Sequence, residues 1–235
     1  MRQGWRWFGP NAGVSLDAVR QAGATNIVSA LHEVPIGGAW TKRDVAARRN
    51  LIETTPPGRT PLAWSVVESI PIPDAVKRKG AAAKAEIEAW IASLEAVAAS
   101  DIRIVCYNFM PVVDWTRTEL DFVTPTGATA MRFDQERFAA FELFILARDG
   151  AEADYTPQER ERARAVRSAM SEEEVSEIVR IITSALPGST TEPMTLPGFR
   201  DRLAAYKGVD VARFRRNLVE VLEALTPAAK GRGVK

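Results

Sequence analysis

One stretch constrains the fold of this chain more than any other. Residues 102–111 begin with the mostly apolar run Ile-Arg-Ile-Val and end in polar and aromatic side chains around Asn108. Such a run predicts a buried strand, and the change of character at its end is typical of a strand that delivers side chains to a pocket. We therefore predict a sheet or barrel strand that opens residues 102–111, with functional groups at its carboxyl end.

Three earlier segments repeat the pattern of a strand followed by a helix. The earlier strands are predicted at residues 5–8, 25–31 and 62–67. Strands that alternate with helices predict a parallel sheet joined by right-handed crossovers. Both a doubly wound sheet and a TIM barrel are compatible with this series of four units.

The helices between these strands carry recognisable start signals. Ser15 and Thr41 are typical N-cap residues before the first and second helices. One face of the second helix is marked by Val45, Arg48 and Ile52. A third helix, at about residues 84–99, places apolar side chains at helical spacing, so we expect it to pack on the sheet.

The character of the chain changes after Arg117. A turn is predicted at residues 125–127, and helices are predicted after Asp134, Thr156, Ser171 and Asp210. No strand is evident from about residue 131 to residue 230. We predict four strand–helix units at residues 1–120, a helical insertion or subdomain with a final helix at 121–230, and a truncated tail at 231–235.

Composition narrows the class of protein. Lys and Arg total 31 against 30 Asp and Glu, and the net charge of +1 gives no electrostatic case for nucleic acid or an anionic membrane as partner. The N-terminus lacks the apolar region of a signal peptide, and no window is apolar enough for a membrane span. We expect a soluble cytoplasmic protein.

Cysteine and histidine are nearly absent. Cys106 and His32 are the only residues of their types. A lone cysteine fits a reducing compartment, and one Cys with one His cannot build a structural zinc site within the chain. The sequence also contains no nucleotide-binding glycine motif and no nucleophile elbow. We expect no metal site formed by this chain, and the residues alone assign no catalytic group.

Five segments together resemble mannonate dehydratases, and the match runs in order from residue 1 to about residue 228. The segments are residues 5–11, 19–25, 64–69, 106–118 and 150–155. The resemblance implies a TIM-barrel fold and the dehydration of D-mannonate to 2-keto-3-deoxy-D-gluconate in hexuronate breakdown. It also implies a divalent metal, Mn²⁺ or Fe²⁺, as cofactor. The expected fold is the first half of a (β/α)8 barrel, about four parallel strands, with a long helical insertion.

The sequence departs from the family pattern in one respect. The resemblance implies that strands of the second half of the barrel supply the metal ligands, namely His, Cys, His and Asp, and those positions are not among these 235 residues. Cys106 and His32 match earlier segments and are not these ligands. We therefore expect a chain that is truncated before the metal-ligand strands and inactive alone.

This half would then form one wall of a sugar-acid pocket, at the ends of its strands. Asn108 is the strongest candidate, since an amide both donates to and accepts from sugar hydroxyls. Glu68 is a charge at the end of an apolar strand, which favours a pocket or an ion pair. His32 is equally compatible with a substrate contact and with a structural hydrogen-bonded imidazole.

Two further candidates have strong structural alternatives. Tyr107 alternates with its neighbours and fits the core as well as the pocket. Arg117 could bind a carboxylate with two parallel hydrogen bonds, whereas the structural alternative is an ion pair with Asp114 or Glu119.

Two other interpretations of the whole chain are compatible with the sequence. Two unpaired strand edges would suit a non-catalytic half-barrel that self-associates into a homo-oligomer. A different sugar isomerase built on a TIM barrel is the remaining alternative, which the resemblance disfavours.

Overall fold

The computed structural model describes residues 2–113, 115–184 and 194–235. The chain divides into two compact units. The first consists of Met1–Pro111 together with Gly208–Lys235, and the second is Val112–Lys207. The chain thus leaves its first unit, builds the second, and returns to complete the first.

The first unit contains a parallel sheet in the order β1-β2-β3. Its strands are β1 (Gly4–Arg6), β2 (Asn26–Ser29) and β3 (Ala63–Val67). Trp5 pairs with Ile27, and Ile27 pairs in turn with Trp64. The three predicted strands and their parallel direction are confirmed, although each is shorter than its apolar run.

The segment predicted as the fourth strand is extended beside β3 but forms only an isolated parallel bridge, between Val67 and Val105. On its other side it meets the last residue of the chain. The Lys235 N–H donates to the Arg103 carbonyl at 2.8 Å, and the Val105 N–H donates to the Lys235 carbonyl at 2.9 Å. This alternation of bonds is that of a parallel ladder.

Five helices surround this sheet. They are α1 (Leu16–Gln21), α2 (Lys42–Glu53), α3 (Asp74–Arg78), α4 (Ala83–Ala99) and α9 (Val211–Gly231). The predicted caps are confirmed: Ser15 accepts from the Ala18 N–H, and Thr41 forms a reciprocal capping box with Asp44. The short helix α3 was not predicted, because five residues are too few to show helical periodicity.

The core of the first unit lies between the sheet and these helices. Ile27, Val67 and Leu94 are fully buried, and α9 adds Val221 and Leu225 to the same cluster. Burying each such aliphatic side chain contributes about 1.5–3 kcal/mol. Helix α9 is therefore an integral part of the first unit.

The second unit opens with an antiparallel hairpin that the sequence analysis did not predict. Strands β4 (Glu119–Val123) and β5 (Thr129–Arg132) flank the predicted turn, where Gly127 has a φ of +81°. Arg132 packs over the Phe122 ring and pairs with Glu119 at 2.8 Å. The absence of strands was thus predicted too broadly, since residues 131 and 132 belong to β5.

Helices make up most of the rest of the second unit. They are α5 (Gln135–Ala140), a π-helical turn (Phe141–Ile145), a 3-10 helix (Ala151–Asp154), α6 (Pro157–Ala169), α7 (Glu172–Thr183) and α8 (Leu196–Ala204). The capping boxes at Thr156 and Ser171 are confirmed. Their apolar faces enclose a separate core around Phe141, whose ring packs edge-on against that of Phe199.

Among the described helices, none combines the length and the apolar character needed to cross a membrane.

Candidate functional site at the strand ends

The first unit brings four of the predicted site residues to one edge of its sheet. His32 follows β2, Glu68 follows β3, and Tyr107 and Asn108 follow the bridge at Val105. Because the strands are parallel, their carboxyl ends lie at the same edge. The sequence therefore predicted the shared location correctly.

Arg6, at the end of β1, connects the groups at this edge. Its guanidinium pairs with Glu68 at 3.1 Å and lies 4.9 Å from the centre of the Phe8 ring. The Phe8 ring in turn packs against His32, with 5.3 Å between ring centres. Arg6 and Glu68 are only partly exposed, so this is a half-buried polar row rather than a solvated surface pair. The prediction that Glu68 forms an ion pair or faces a pocket is compatible with both features.

His32 lies at the surface of this row. Loss of hydration against its neighbours, together with the positive charges of Arg48 and Arg6, lowers the pKa of His32 below its ordinary value of 6.5. The Glu33 carboxylate opposes this effect, as does a hydrogen bond to the Trp7 backbone. At neutral pH the imidazole is therefore uncharged and can both donate and accept a hydrogen bond.

Asn108 is half-buried, and its side-chain amide lies 3.4 Å from the Ser69 hydroxyl. The peptide bond between Glu68 and Ser69 is cis. Tyr107 is 41% exposed, so it is not the core residue that the alternative interpretation required. The two residues thus differ, with Asn108 facing the β3 end and Tyr107 facing solvent.

Cys106 belongs to the same edge. Partial burial raises the pKa of the Cys106 thiol, and the nearby Glu68 carboxylate raises it further, while Arg6 acts in the opposite direction. A thiol in this environment stays protonated at neutral pH, which agrees with the predicted structural rather than reactive role.

Arg48 was predicted only as part of a helix face, yet it reaches this edge from α2. Its guanidinium donates to the Ala30 carbonyl at 2.8 Å and to the Glu33 carboxylate. The signal that could have identified it is a charged residue on the buried face of a helix, between Val45 and Ile52. Arg6 carries a similar signal, as a charge inside an aromatic strand.

Arg117 belongs to the second unit and is buried, with 7% of its surface exposed. Its Nη1 donates to the Trp115 carbonyl at 2.8 Å. Of the two ion-pair partners that the sequence suggested, Glu119 pairs with Arg132, and Asp114 lies outside the described residues.

The second unit has a polar cluster of its own, which the sequence analysis missed. The Tyr155 hydroxyl donates to the Glu142 carboxylate at 2.5 Å, and Arg148 donates to the same carboxylate at 2.6 Å. Arg148 also pairs with Asp154. These bonds tie the π-helical turn to the 3-10 helix that follows it.

The described residues offer few donors for a metal ion. Within residues 2–113, 115–184 and 194–235, no three or more His, Cys, Asp or Glu side chains come together in a group that could hold a metal ion. At the strand ends, Glu68 is engaged by Arg6 and Glu33 by Arg48. The described residues therefore do not fit a divalent metal.

Comparisons with known proteins identify the family. The family model described as "D-mannonate dehydratase (UxuA)" matches residues 1–235. The mannonate dehydratase of Brucella canis is 65% identical over 235 residues, and that of Chromohalobacter salexigens is 44% identical. Each of these alignments covers all of this chain and 59% of the relative.

A solved structure gives the same result. The mannonate dehydratase of Streptococcus suis serotype 2 superposes with a TM-score of 0.65 and 25% identity, over 100% of this chain and 52% of that one. The chain thus spans 59% of the length of the curated relatives it matches. The resemblance seen in the sequence is confirmed, and this chain belongs to the mannonate dehydratase family.

Proposed function

We propose that this chain forms the first half of a mannonate dehydratase barrel, and that its strand ends form one wall of a D-mannonate site. The row of Arg6, Glu68, His32 and Asn108 at the carboxyl edge of a parallel sheet is the observation that carries the proposal. Active sites of (β/α)8 enzymes lie at this edge. The reaction removes water from D-mannonate to give 2-keto-3-deoxy-D-gluconate.

The half-barrel interpretation draws support from the order of pairing across the sheet. The sheet runs β1-β2-β3, continues to Val105, and then to Lys235, all in parallel. Helix α9 precedes Lys235, just as a crossover helix precedes the next strand of a barrel. In this arrangement Val112–Lys207 is an insertion within the fourth strand–helix unit.

The roles of the edge residues follow from their chemistry. Asn108 would hydrogen-bond a substrate hydroxyl with its amide, and neutral His32 would do so with its imidazole. Glu68, held by Arg6, would accept from another hydroxyl, and Tyr107 would contribute its exposed ring and hydroxyl. Arg117 belongs to the second unit, and its role as a carboxylate-binding residue stays a prediction from the sequence.

The family's metal chemistry would come from outside these residues. A divalent ion, Mn²⁺ or Fe²⁺ in the proposal, would supply stabilisation of negative charge beside the substrate carboxylate. The described residues do not offer a ligand set for it. We therefore propose that the 235-residue chain binds sugar acid but does not dehydrate it alone, in a cytoplasmic setting that suits its single thiol.

Binding and turnover should be measured separately. Ligand-observed NMR with D-mannonate should detect weak binding that the Asn108→Ala variant reduces, with Glu88→Gln, an exposed change on α4, as control. An assay with D-mannonate and Mn²⁺ should show no turnover until the remaining segment of the Brucella canis relative is added in trans. Turnover by the chain alone at an ordinary enzymatic rate would contradict the proposed inactivity, and absence of any binding would contradict the pocket.

A specific observation favours a second, non-catalytic candidate. Ile104 is 46% exposed, and no hydrogen bond joins the Val105 carbonyl or the Tyr107 N–H to any other described residue. Unpaired strand edges recruit further strands. Self-association of half-barrels into a homo-oligomer would use this edge, and light scattering that shows a monomer at high protein concentration would count against it.

A further inference from the structure

Arg48 is an unusual residue for the buried face of a helix. It projects from α2 and is only 6% exposed. Its Nη1 donates to the Ala30 carbonyl at 2.8 Å, and its Nη2 donates to both oxygens of the Glu33 carboxylate, at 3.0 and 2.8 Å. A charge is tolerated at such a position only when hydrogen bonds and an opposite charge replace its hydration. Here the hydrogen bonds and the opposite charge all come from the segment just after β2.

The same guanidinium also touches the segment that follows β1. It lies 5.5 Å from the centre of the Trp7 ring. Gly9 has a φ of +103°, and a Cβ at this position would lie 3.4 Å from both Nη1 and Nη2 of Arg48. A Cβ at position 9 would thus contact the guanidinium at an ordinary distance, and the positive φ is what favours glycine there.

We infer that Arg48 is a positioning residue of the strand-end site, because it clamps the ends of β1 and β2 together and so fixes where His32 lies. Ala30 and Glu33, its two hydrogen-bonding partners, bracket His32 in the chain. Trp7 and Gly9 bracket Phe8, whose ring packs on His32. The inference rests on the proposed function only in treating this edge as a substrate site, since the clamp itself is a matter of geometry.

The charge of Arg48 gives this role an electrostatic component. The charged groups that act on His32 are Arg6 from β1, Arg48 from α2 and Glu33 from its own loop. The arginines disfavour the imidazolium, and Glu33 favours it. A lysine at position 48 would keep the charge but could not bond Ala30 and Glu33 with one planar fork.

His32 is the only histidine of the chain, so its NMR signals report on this clamp without ambiguity. We would titrate ¹⁵N-histidine-labelled protein as the full 235-residue chain and its Arg48→Met and Arg48→Lys variants. Arg43, exposed on the same helix, gives the matched control Arg43→Met. Hydrogen exchange at the amides of residues 31–34 would report on the order of the loop.

Arg48→Met should raise the pKa of His32, shift its ring signals, and accelerate loop amide exchange roughly tenfold, as expected when charge-assisted hydrogen bonds are lost. Arg48→Lys should leave the pKa closer to that of the unsubstituted chain while still moving the ring signals. Arg43→Met should change none of these. Unchanged His32 signals and exchange in Arg48→Met would overturn the inference.

A second variant keeps the inference testable if Arg48→Met does not fold. Gly9→Ala leaves the charge of Arg48 in place but inserts a methyl group against its guanidinium, at a backbone conformation that favours glycine. It should displace the His32 ring signals, and unchanged signals in a folded Gly9→Ala protein would overturn the clamp. None of these measurements needs D-mannonate, so failure of the clamp and failure of the proposed activity are distinguishable.

Discussion

The strand-end row of the first unit and the Glu142 cluster of the second differ in how far apart their members lie in the sequence. In the strand-end row of the first unit, charged side chains meet from positions far apart in sequence, as Arg6 meets Glu68. In the Glu142 cluster of the second unit, the partners lie within 13 positions of one another, as Glu142 pairs with Arg148 and Tyr155. Groups gathered from several strands suit ligand binding, whereas local pairs stabilise the segment that contains them. The arrangement of the strand-end row suits the proposed ligand site in the first unit.

The largest expected effect comes from each unit's own core. Phe141→Ala removes a fully buried ring from the second unit and should cost about 3–5 kcal/mol of unfolding free energy. Leu94→Ala, which should cost about 2–5 kcal/mol, is the matched change in the first unit. Urea unfolding followed by circular dichroism would measure both losses.

Tryptophan fluorescence separates the two units in the same experiment. Five of the six tryptophans lie in the first unit, and Trp115 lies in the second. Leu94→Ala should lower the midpoint of the fluorescence transition, while Phe141→Ala should lower mainly that of the circular dichroism transition. Equal shifts of both signals in both variants would show that the units unfold together, and the comparison would fail.

The next effect tests whether the Glu142 cluster is structural. Tyr155→Phe removes one hydrogen bond to a carboxylate and should destabilise the second unit by about 1.5–3 kcal/mol. Glu173→Gln, an exposed change on α7, is the control for substitution in the same unit. Thermal unfolding at pH 7 would measure the difference.

The environment of Tyr155 also predicts that the stability of the protein falls at alkaline pH. Burial raises the pKa of Tyr155 above its ordinary value of 10.0, and the Glu142 carboxylate raises it further. The phenol is thus stabilised in its neutral form in the folded state, a contribution that is complete below pH 10 and is lost as pH rises beyond it. Stability should fall above pH 10, and Tyr155→Phe should weaken that fall; an unchanged alkaline profile would exclude Tyr155 as its cause.

Contacts between residues close in sequence could be predicted from the sequence, whereas contacts between distant residues could not. Ser15, Thr41, Thr156 and Ser171 were correctly predicted as helix caps, because a cap depends on residues only three positions away. The hairpin was missed, because β4 alternates over only two apolar positions, Leu120 and Phe122, and β5 is short and mostly exposed. A single sequence therefore predicts local contacts such as helix caps, but it does not reveal short, weakly amphipathic strands.

The candidate site shows the same limit. Parallel strands made it possible to predict that His32, Glu68 and Asn108 share an edge. The partners of these residues could not be predicted, since the sequence separates Arg6 from Glu68 by more than sixty positions and only the fold brings them together. The fourth strand was predicted from its apolar run, yet its ladder depends on neighbours that the run itself does not specify.

A smaller effect is expected from the helix caps, which have the same form in the two units. Thr41 in the first unit and Ser171 in the second each form a capping box, and replacing either by alanine should cost about 1 kcal/mol. Thr41→Ala should shift the tryptophan fluorescence transition, whereas Ser171→Ala should shift the circular dichroism transition alone. A fluorescence shift in Ser171→Ala equal to that in Thr41→Ala would show that the local losses are shared.

The smallest effect tests whether charged groups at the strand ends change the pKa of a neighbouring side chain. Because the Glu68 carboxylate and partial burial raise the pKa of the Cys106 thiol, Glu68→Gln should lower that pKa and speed alkylation by iodoacetamide severalfold at pH 8. Arg6→Met should slow it, since the Arg6 charge favours the thiolate. Cys106 is the only cysteine, so the reaction has a single site, and Glu88→Gln on α4 is the control. Opposite changes in Glu68→Gln and Arg6→Met would establish a field that spans three strand ends, whereas parallel changes would mean that both variants merely loosen the packing around the thiol.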